Sequence, residues 1–186
     1  MLQIKTLITA LTVICIASVC LAGLVTFMLW REAGRVLDQR HIRDKMRSTS
    51  PIAKLSPAET TMARALFPQA ASGPEAFAAQ NLATPAFLES HQPLALQTRI
   101  KRRMAAEQLE LEFSEDELVH AYFEHTYYGK GEYGLDVASR SMFGKDPVDL
   151  TEDEAFALAA VTRAPALRSD PERLALWVTK QKEQVK

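Results

Sequence analysis

The sequence predicts a mainly α-helical protein, in which an N-terminal membrane-spanning helix precedes a small helical domain. Between Lys5 and Arg31 lie 25 residues without a charged side chain, enough helix to cross a bilayer. No later stretch alternates apolar and polar residues for long enough to predict a strand. Three helix starts carry a capping box, in which Ser or Thr is followed three residues later by Glu, at Ser56 and Glu59, Ser114 and Glu117, and Thr151 and Glu154.

The uncharged run, residues 6–30, is predicted to remain in the protein as a membrane anchor. A cleaved signal peptide has a shorter apolar core and a small-residue cleavage site. Both cysteines, Cys15 and Cys20, lie inside this run, so the rest of the chain can form no disulfide. Their side chains suit packing within the helix better than chemistry.

The segment after the anchor is basic. Since only Lys5 and the amino terminus precede the run, the positive-inside rule predicts a cytoplasmic C-terminal part. Alternatively, this flank lies along an anionic membrane surface, which either leaflet can provide. We expect an anchor over residues 1–30, a basic juxtamembrane linker over 31–55 and a domain over 56–186. The basic residues of the flank are Arg31, Arg35, Arg40, Arg43, Lys45 and Arg47.

Prolines predict further helix starts, because a proline in the first turn of a helix loses no hydrogen bond. The alanine-rich stretch over residues 68–93 contains scattered helix breakers and predicts short helices joined by loops. The chain has 186 residues, 47% of them hydrophobic, which suffices for one modest domain beyond the anchor. The prolines that follow a suitable N-cap residue are Pro57 after Ser56, Pro85 after Thr84, and Pro171 after Asp170.

A helix from Arg99 to Phe113 is predicted to be buried on two faces, since its apolar residues form two stripes. Arg102 lies on the second stripe, one turn before Ala106, and should point toward whatever that face lines. The alternative is an arginine near a helix end whose charged head reaches water. The stripes consist of Ile100, Met104 and Leu111, and of Ala106, Leu109 and Phe113.

Residues 122–145, YFEHTYYGKGEYGLDVASRSMFGK, form the most patterned part of the chain. A helix is predicted to end at Tyr122 and Phe123, and a shaped aromatic loop follows because its closely spaced glycines permit positive φ. A second helix begins after this loop and stops at Gly144. The glycines of the loop are Gly129, Gly131 and Gly134.

This stretch resembles the YLNxxYFGxGxYGxxxAAxxYFGK motif of the peptidoglycan glycosyltransferases of family 51, the transglycosylase domains of class A penicillin-binding proteins. Residues from Asp149 to Pro171 resemble the family's LTxxEAAxLAxxxxAPxxxxP pattern, and Leu109 to Leu118 resemble LExxxSKDEIL. The resemblance covers residues 98–176. It implies a lysozyme-like helical domain, here partial, on the periplasmic side of a bacterial inner membrane, which conflicts with the charge rule for orientation.

The family's reaction needs a carboxylate base and cations. A sugar 4-hydroxyl loses its proton as it attacks an anomeric carbon, and the leaving diphosphate must be stabilised. The resemblance implies one glutamate in an EDxxFxxHxG motif, which has no counterpart here, and a second in an RKxxExxxAxxLE motif. Alignment of the second motif on Ala106, Leu109 and Glu110 places Arg99 at its lysine and Arg102 at its glutamate. Both family carboxylates are therefore missing.

Other residues offer weaker alternatives. Residues 60–67 show a faint similarity to the family's GGSTITQQLxKNLF segment, with Arg64 at the lysine, although most of its polar residues are absent and a capped amphipathic helix is the simpler explanation. Glu107, Glu110 and Glu124 are candidates for a relocated base, but an acidic run is usually a solvated surface. His120 and His125 lack the spacing of a metal site, so neither a metal nor another cofactor is predicted.

The cations favour binding over catalysis. Arg103 extends a basic cluster on the predicted helix, and such cations can hold a diphosphate or an anionic glycan. With Lys5 subtracted from 22 basic residues, 21 remain against 23 acidic ones, so nucleic-acid binding has no support. No catalytic residue is assigned. The predicted substrate-binding residues are Arg99, Lys101, Arg102, Tyr128, Gly129, Gly131, Tyr133 and Arg163.

The leading interpretation is a membrane-anchored, degenerate transglycosylase-like protein that binds lipid-linked peptidoglycan precursor, glycan or a cell-wall synthesis protein without turnover. The alternative is an active peptidoglycan glycosyltransferase or a muramidase-like enzyme that uses Glu124 or Glu110. A third possibility is a shortened remnant that folds poorly, because the family's early half has no counterpart.

Overall fold

The computed structural model of the chain describes residues 2–39, 41–49, 52, 54–67, 73–88 and 96–185. These ranges are mainly helical and contain no β-strand beyond an isolated bridge between Tyr127 and Tyr133, so the predicted fold class is confirmed. Short 3₁₀ turns lie at Pro147–Asp149 and Pro165–Ser169. The α-helices in the described ranges are α1 (Leu2–Gln39), α2 (Ile42–Ser48), α3 (Pro57–Leu66), α4 (Gly73–Leu88), α5 (Leu96–Glu112), α6 (Glu115–His125), α7 (Leu135–Phe143), α8 (Glu152–Arg163) and α9 (Pro171–Val185).

Helix α1 has two parts with different surroundings. Residues 13–28 are exposed and mostly apolar, and α1 is long and apolar enough to cross a membrane. Beyond Trp30 the same helix joins the domain, because Ala33 and Leu37 are fully buried where α1 packs against α2 and α5. The stretch assigned above to a linker is therefore helical over residues 31–39 and 42–48.

All three capping boxes are confirmed. In each box the hydroxyl of Ser56, Ser114 or Thr151 accepts a hydrogen bond from the backbone N–H three residues later. The glutamate at that later position accepts a hydrogen bond from the backbone N–H of the cap residue. These bonds satisfy donors that the first turn of a helix cannot pair internally.

The prolines give a mixed result. Pro57 and Pro171 are the first residues of α3 and α9, as predicted. The prediction of a helix start at Pro85 is wrong, because α4 runs without interruption from Gly73 to Leu88. The Thr84 hydroxyl, expected to cap a helix, instead donates to the carbonyl of Gln80 at 2.5 Å. Pro85 lies within the last turn of α4, where its missing N–H costs the helix one hydrogen bond without ending it early.

The alanine-rich stretch also differs from its prediction. Residues 73–88 form one helix of 16 residues rather than several short ones, because successive alanines favour helix strongly. Residues 68–72 and 89–93 lie outside the described part of the chain. Helix α4 packs against α5 and α6 and so forms one wall of the domain.

Helix α8 lies at the centre of the domain. Its residues 155–161 are all buried, and α3 and α9 pack against it. Four of these buried residues are alanines, at positions 155, 157, 159 and 160, so the neighbouring helices can approach closely. The middle of the family pattern around residues 149–171 therefore lies in the core.

Helices α5 and α6 extend beyond their predicted limits. Helix α5 starts at Leu96, and α6 continues to His125. Ala106 and Leu109 are fully buried, whereas Leu111 is 78% exposed. The predicted face containing Leu111 is therefore wrong at its last position, since the final turn of α5 buries Leu109 and leaves Leu111, on another face, in solvent.

Candidate functional site

The glycine loop between α6 and α7 is a tight reversal of the chain. The backbone N–H of Tyr128 donates to the Glu132 carbonyl at 2.9 Å, and that of Glu132 donates to the Gly129 carbonyl at 3.0 Å. Gly129, Lys130 and Gly131 all have positive φ, between 53° and 83°. This conformation suits glycine far better than other residues, which explains the two glycines flanking Lys130.

Arg168, which lies in the 3₁₀ turn after α8, holds the glycine loop in place. Its guanidinium donates to the carbonyls of Tyr128 and Gly129 at 3.2 and 3.1 Å, and lies 2.7 Å from the Glu132 carboxylate. It also donates to the Ser141 hydroxyl on α7 at 2.6 Å. The Arg168 side chain is only 4% exposed, so one buried cation joins the loop, α7 and the 3₁₀ turn after α8.

Two predicted loop residues face the protein interior. Tyr128 is fully buried, and its hydroxyl donates to the Phe123 carbonyl at 3.2 Å. Gly129 packs so closely that an added Cβ would lie 3.1 Å from the Pro165 carbonyl oxygen. In contrast, Tyr133 is 61% exposed and Gly131 borders open space. The solvent-facing side of the loop is therefore formed by Tyr133 and Gly131.

A cavity of about 730 Å³ lies beside this loop. Its wall combines three tyrosines with aliphatic side chains and the cation Lys45, and the rings of Tyr127 and Tyr133 lie 5.1 Å apart between their centroids. Tyrosine rings give flat apolar contact together with a polar hydroxyl, and apolar cavities with a few polar groups are typical ligand sites. Its lining includes Tyr122, His125, Tyr127, Tyr133, Thr162 and Pro165.

Arg163 ends α8 next to this cavity. Burial raises the pKa of the Tyr122 hydroxyl, and hydrogen bonds with Thr126 and Thr162 and the charge of Arg163 oppose that rise. Arg163 is exposed, whereas its neighbour Thr162 lines the cavity. A cation is thus available close to the aromatic wall.

The predicted basic cluster lies at the start of α5, beside the end of the apolar part of α1. Lys101 forms an ion pair with Glu32 of α1, with 2.7 Å between Nζ and Oε1. Arg99 is exposed and Arg102 half-buried, and neither forms an ion pair with another residue in the described ranges. The predicted substrate-binding residues therefore fall into two groups, one near the loop and one beside the apolar part of α1.

Two candidate carboxylates have altered acidity. Burial raises the pKa of Glu124, and the nearby charge of His120 only partly opposes this. An added Cβ on Gly134 would lie 3.7 Å from Glu124 Oε2, so the glycine leaves room beside this carboxyl. Burial also raises the pKa of Glu110, whose Oε1 is buried without a hydrogen-bond partner in the described part of the chain.

Sequence reasoning missed a buried pair between α3 and α6. His120 Nδ1 and Glu59 Oε1 lie 2.5 Å apart. Burial alone would raise the pKa of Glu59, but hydrogen bonds with His120 and Ser56 lower it overall, and the bond to Glu59 raises the pKa of His120. The capping box identified Glu59, although not its partner 61 residues away. Across the described ranges, no three His, Cys, Asp or Glu side chains converge on a metal site.

Comparisons with known proteins agree on one family. The sequence pattern of the transglycosylase family matches residues 55–185. Penicillin-binding protein 2D of Bacillus subtilis (strain 168) is 43% identical over 58 residues, which cover 31% of this chain and 8% of that protein. Penicillin-binding protein 1F of the same organism is 37% identical over 90 residues, covering 48% and 12%.

A third relative, penicillin-binding protein 1A of Aquifex aeolicus (strain VF5), is 36% identical over 87 residues, which cover 47% of this chain and 12% of that protein. The chain therefore matches about a tenth of the length of these relatives.

Proposed function

Because this chain belongs to the transglycosylase family, we propose that it is a membrane-anchored protein that binds lipid-linked peptidoglycan precursor or glycan, with lost or weakened catalysis. The observation that carries this proposal is the position of the cations on α5. They lie beside the end of the apolar helix, whereas the family's two glutamates have no counterpart in the sequence.

The cation cluster lies at a suitable depth for a lipid-linked substrate. Glu32, which pairs with Lys101, is two residues beyond Trp30, or about 3 Å along a helix axis. The headgroup layer on each side of a bilayer is roughly 5–8 Å thick. Arg99 and Arg102 on the same turn of α5 would therefore meet a diphosphate that is linked to a lipid tail.

The chemistry at position 102 supports binding without turnover. The resemblance places Arg102 where the family has a glutamate, so a cation replaces a carboxylate. A guanidinium stays protonated at neutral pH and cannot act as a base. It can still hold phosphate oxygens through two parallel hydrogen bonds. We therefore expect the substitution to abolish proton abstraction and to preserve attraction for the diphosphate.

The proposed location is a bacterial inner membrane with the domain on the periplasmic side, where a cell-wall synthesis protein could also be a partner. The family supports this side, whereas the basic flank after Trp30 favours the other. A topology reporter fused after Lys186 tests the proposal. Reporter activity on the periplasmic side supports it, and activity in the cytoplasm contradicts it.

The binding proposal is tested with the full chain in detergent and a fluorescent lipid-linked precursor. Replacing Arg99→Gln together with Arg102→Gln should weaken binding about tenfold or more, because each charge-assisted hydrogen bond contributes about 1.5–3 kcal/mol. Arg140→Gln together with Arg173→Gln is the matched control, since both arginines are exposed on α7 and α9. Equal affinity of the double variant and the control would overturn the proposal.

A second candidate function is a glycan-cleaving enzyme that uses Glu124. Its raised pKa favours this function, because a general acid must hold its proton at working pH. Purified glycan strands should then yield soluble fragments, which Glu124→Gln abolishes and Glu110→Gln leaves unchanged. If the wild-type chain releases no fragments, this candidate fails.

A further inference from the structure

A second cavity, of about 890 Å³, lies between α1, α2 and α5. It is separate from the aromatic cavity beside the glycine loop, and the two share no lining residue. It opens next to Trp30, where the uncharged part of α1 ends. Asp38 and Glu112 line it together with four arginines from two helices. These arginines are Arg31, Arg35, Arg43 and Arg47.

Arg43 engages both acidic residues of this cavity. Its guanidinium donates to Asp38 at 2.7 Å and to the two oxygens of Glu112 at 2.8 and 2.7 Å. It also donates to the carbonyl of Gly34 at 3.0 Å. Because one arginine takes up both carboxylates, the other three arginines determine the charge that a ligand would meet.

Those three arginines remain exposed. Arg31, Arg35 and Arg47 are all exposed to solvent, and no carboxylate in the described ranges pairs with them. The cavity therefore has three cations directed at solvent and an internally balanced Arg43 behind them. Such an arrangement attracts an anion with several oxygens, because guanidinium groups bind phosphate through paired hydrogen bonds.

The wall of the cavity is fixed in place. The Gln108 side chain donates to the Trp30 carbonyl at 2.7 Å and accepts from Arg43 at 2.8 Å. An added Cβ on Gly34 would lie 2.6 Å from Gln108 Oε1, so α1 and α5 are in close contact here. A fixed wall lowers the entropic cost of binding.

The position along α1 identifies the kind of ligand. Arg31 directly follows Trp30, and Arg35 lies about 6 Å farther along the helix axis. The headgroup layer is roughly 5–8 Å thick, so both arginines lie at phosphate depth if α1 spans the bilayer. Trp30 has the residue type that favours the same interface. A soluble anion would have to compete there with a high local concentration of lipid phosphates.

We propose that the cavity lined by Arg31, Arg35 and Arg47 binds the phosphate headgroup of an anionic bilayer lipid and so fixes the domain against the membrane surface. This site uses the end of α1 and α2, whereas the proposed precursor site uses the start of α5. The two proposals can therefore fail separately.

Native mass spectrometry of the full chain in detergent tests the lipid site, with phosphatidylglycerol, phosphatidylcholine and undecaprenyl diphosphate as separate probes. The wild type should retain phosphatidylglycerol about tenfold more than phosphatidylcholine. The combined Arg31→Gln, Arg35→Gln and Arg47→Gln variant should retain both lipids equally, while the control with Arg140→Gln and Arg173→Gln should match the wild type. Equal loss in variant and control, no loss in the variant, or a greater loss of undecaprenyl diphosphate than of phosphatidylglycerol in the triple variant would overturn the proposal.

A photoactivatable phosphatidylglycerol provides a test that needs no variant. In the wild type, its headgroup should label peptides within residues 30–47 and 108–113. Labelling concentrated elsewhere in the domain would contradict the proposal even if the triple variant failed to fold.

Discussion

At the glycine loop one buried cation holds the structure together, whereas beside the apolar part of α1 several cations remain exposed around a paired Arg43. At the glycine loop, Arg168 is 4% exposed and contacts a carboxylate, a hydroxyl and two backbone carbonyls. At the end nearest the apolar part of α1, Arg31, Arg35 and Arg99 remain exposed. A cation that is saturated by protein groups stabilises the fold, whereas an exposed one can still bind a ligand.

The same contrast between buried and exposed residues distinguishes the preserved family pattern from the position where the sequence departs from it. The longest family-like stretch, residues 122–145, includes Tyr128 and Gly129, which lie inside the packed protein. The resemblance places Arg102, beside the apolar part of α1, at the position of the family's second glutamate. A long motif therefore identifies the scaffold, while the proposed loss of catalysis rests on the altered position.

The largest expected effect comes from removing the buried cation at the glycine loop. Arg168→Ala removes a buried guanidinium and leaves the Glu132 carboxylate without its partner. Breaking a buried ion pair costs about 3–5 kcal/mol, so the midpoint of thermal unfolding should fall by about 10 °C. Circular dichroism of the full chain in detergent measures this midpoint.

The control for Arg168 is Arg173→Ala. The Arg173 side chain is 76% exposed and lies 3.7 Å from Asp170, so its loss should cost little. If the two variants unfolded at the same temperature, the loop would not depend on its buried cation.

A smaller effect is expected from the buried pair between Glu59 and His120. His120→Ala should cost about 2 kcal/mol, because it removes a charged hydrogen bond from a buried carboxylate. The measured quantity is the free energy of unfolding of the wild type minus that of the variant, from denaturant titrations at several pH values.

This difference should depend on pH in both directions. The folded pKa of His120 is raised above 6.5, so its contribution is complete below about pH 6.5 and is lost as pH rises through the raised pKa. The folded pKa of Glu59 is lowered below 4.5, so its contribution is present above about pH 4.5 and is lost as pH falls through the lowered pKa. A difference that is flat from pH 3 to pH 9 would rule out the ion pair.

The smallest effect tests the close contact between α1 and α5. Gly34→Ala brings a Cβ within 2.6 Å of Gln108 Oε1 and should cost about 1–2 kcal/mol through displacement of that side chain. Gly23→Ala is the matched control, since nothing lies within 4 Å of its added Cβ. Hydrogen exchange of the α5 amides should increase in the first variant alone. Unchanged exchange in Gly34→Ala would contradict the close contact.

The sequence was sufficient for features that depend on neighbouring residues. Ser56 with Glu59 and Thr151 with Glu154 lie within one helical turn, so their hydrogen bonds follow from local geometry. The predicted helix start at Pro85 fails because an alanine-rich helix that begins upstream continues through this residue. Local propensity alone does not predict where such a helix begins.

The candidate site, in contrast, depends on contacts between residues that are far apart in the sequence. Arg43 reaches Glu112 across 69 positions, and His120 reaches Glu59 across 61. No periodicity within a single helix encodes such pairs. The sequence likewise does not show that some predicted binding residues lie near the glycine loop and others beside the apolar part of α1, because that division follows from the packing of α5 on α1.

The most direct measurement of the central claim is glycan polymer formed by the full chain from fluorescent lipid-linked precursor at saturating concentration, resolved on a gel. The matched variant is Glu124→Gln. We predict saturable binding with no polymer from either protein, since the resemblance leaves both of the family's glutamate positions without a carboxylate. Polymer from the wild type that disappears in Glu124→Gln would contradict the claim and identify a relocated catalytic base.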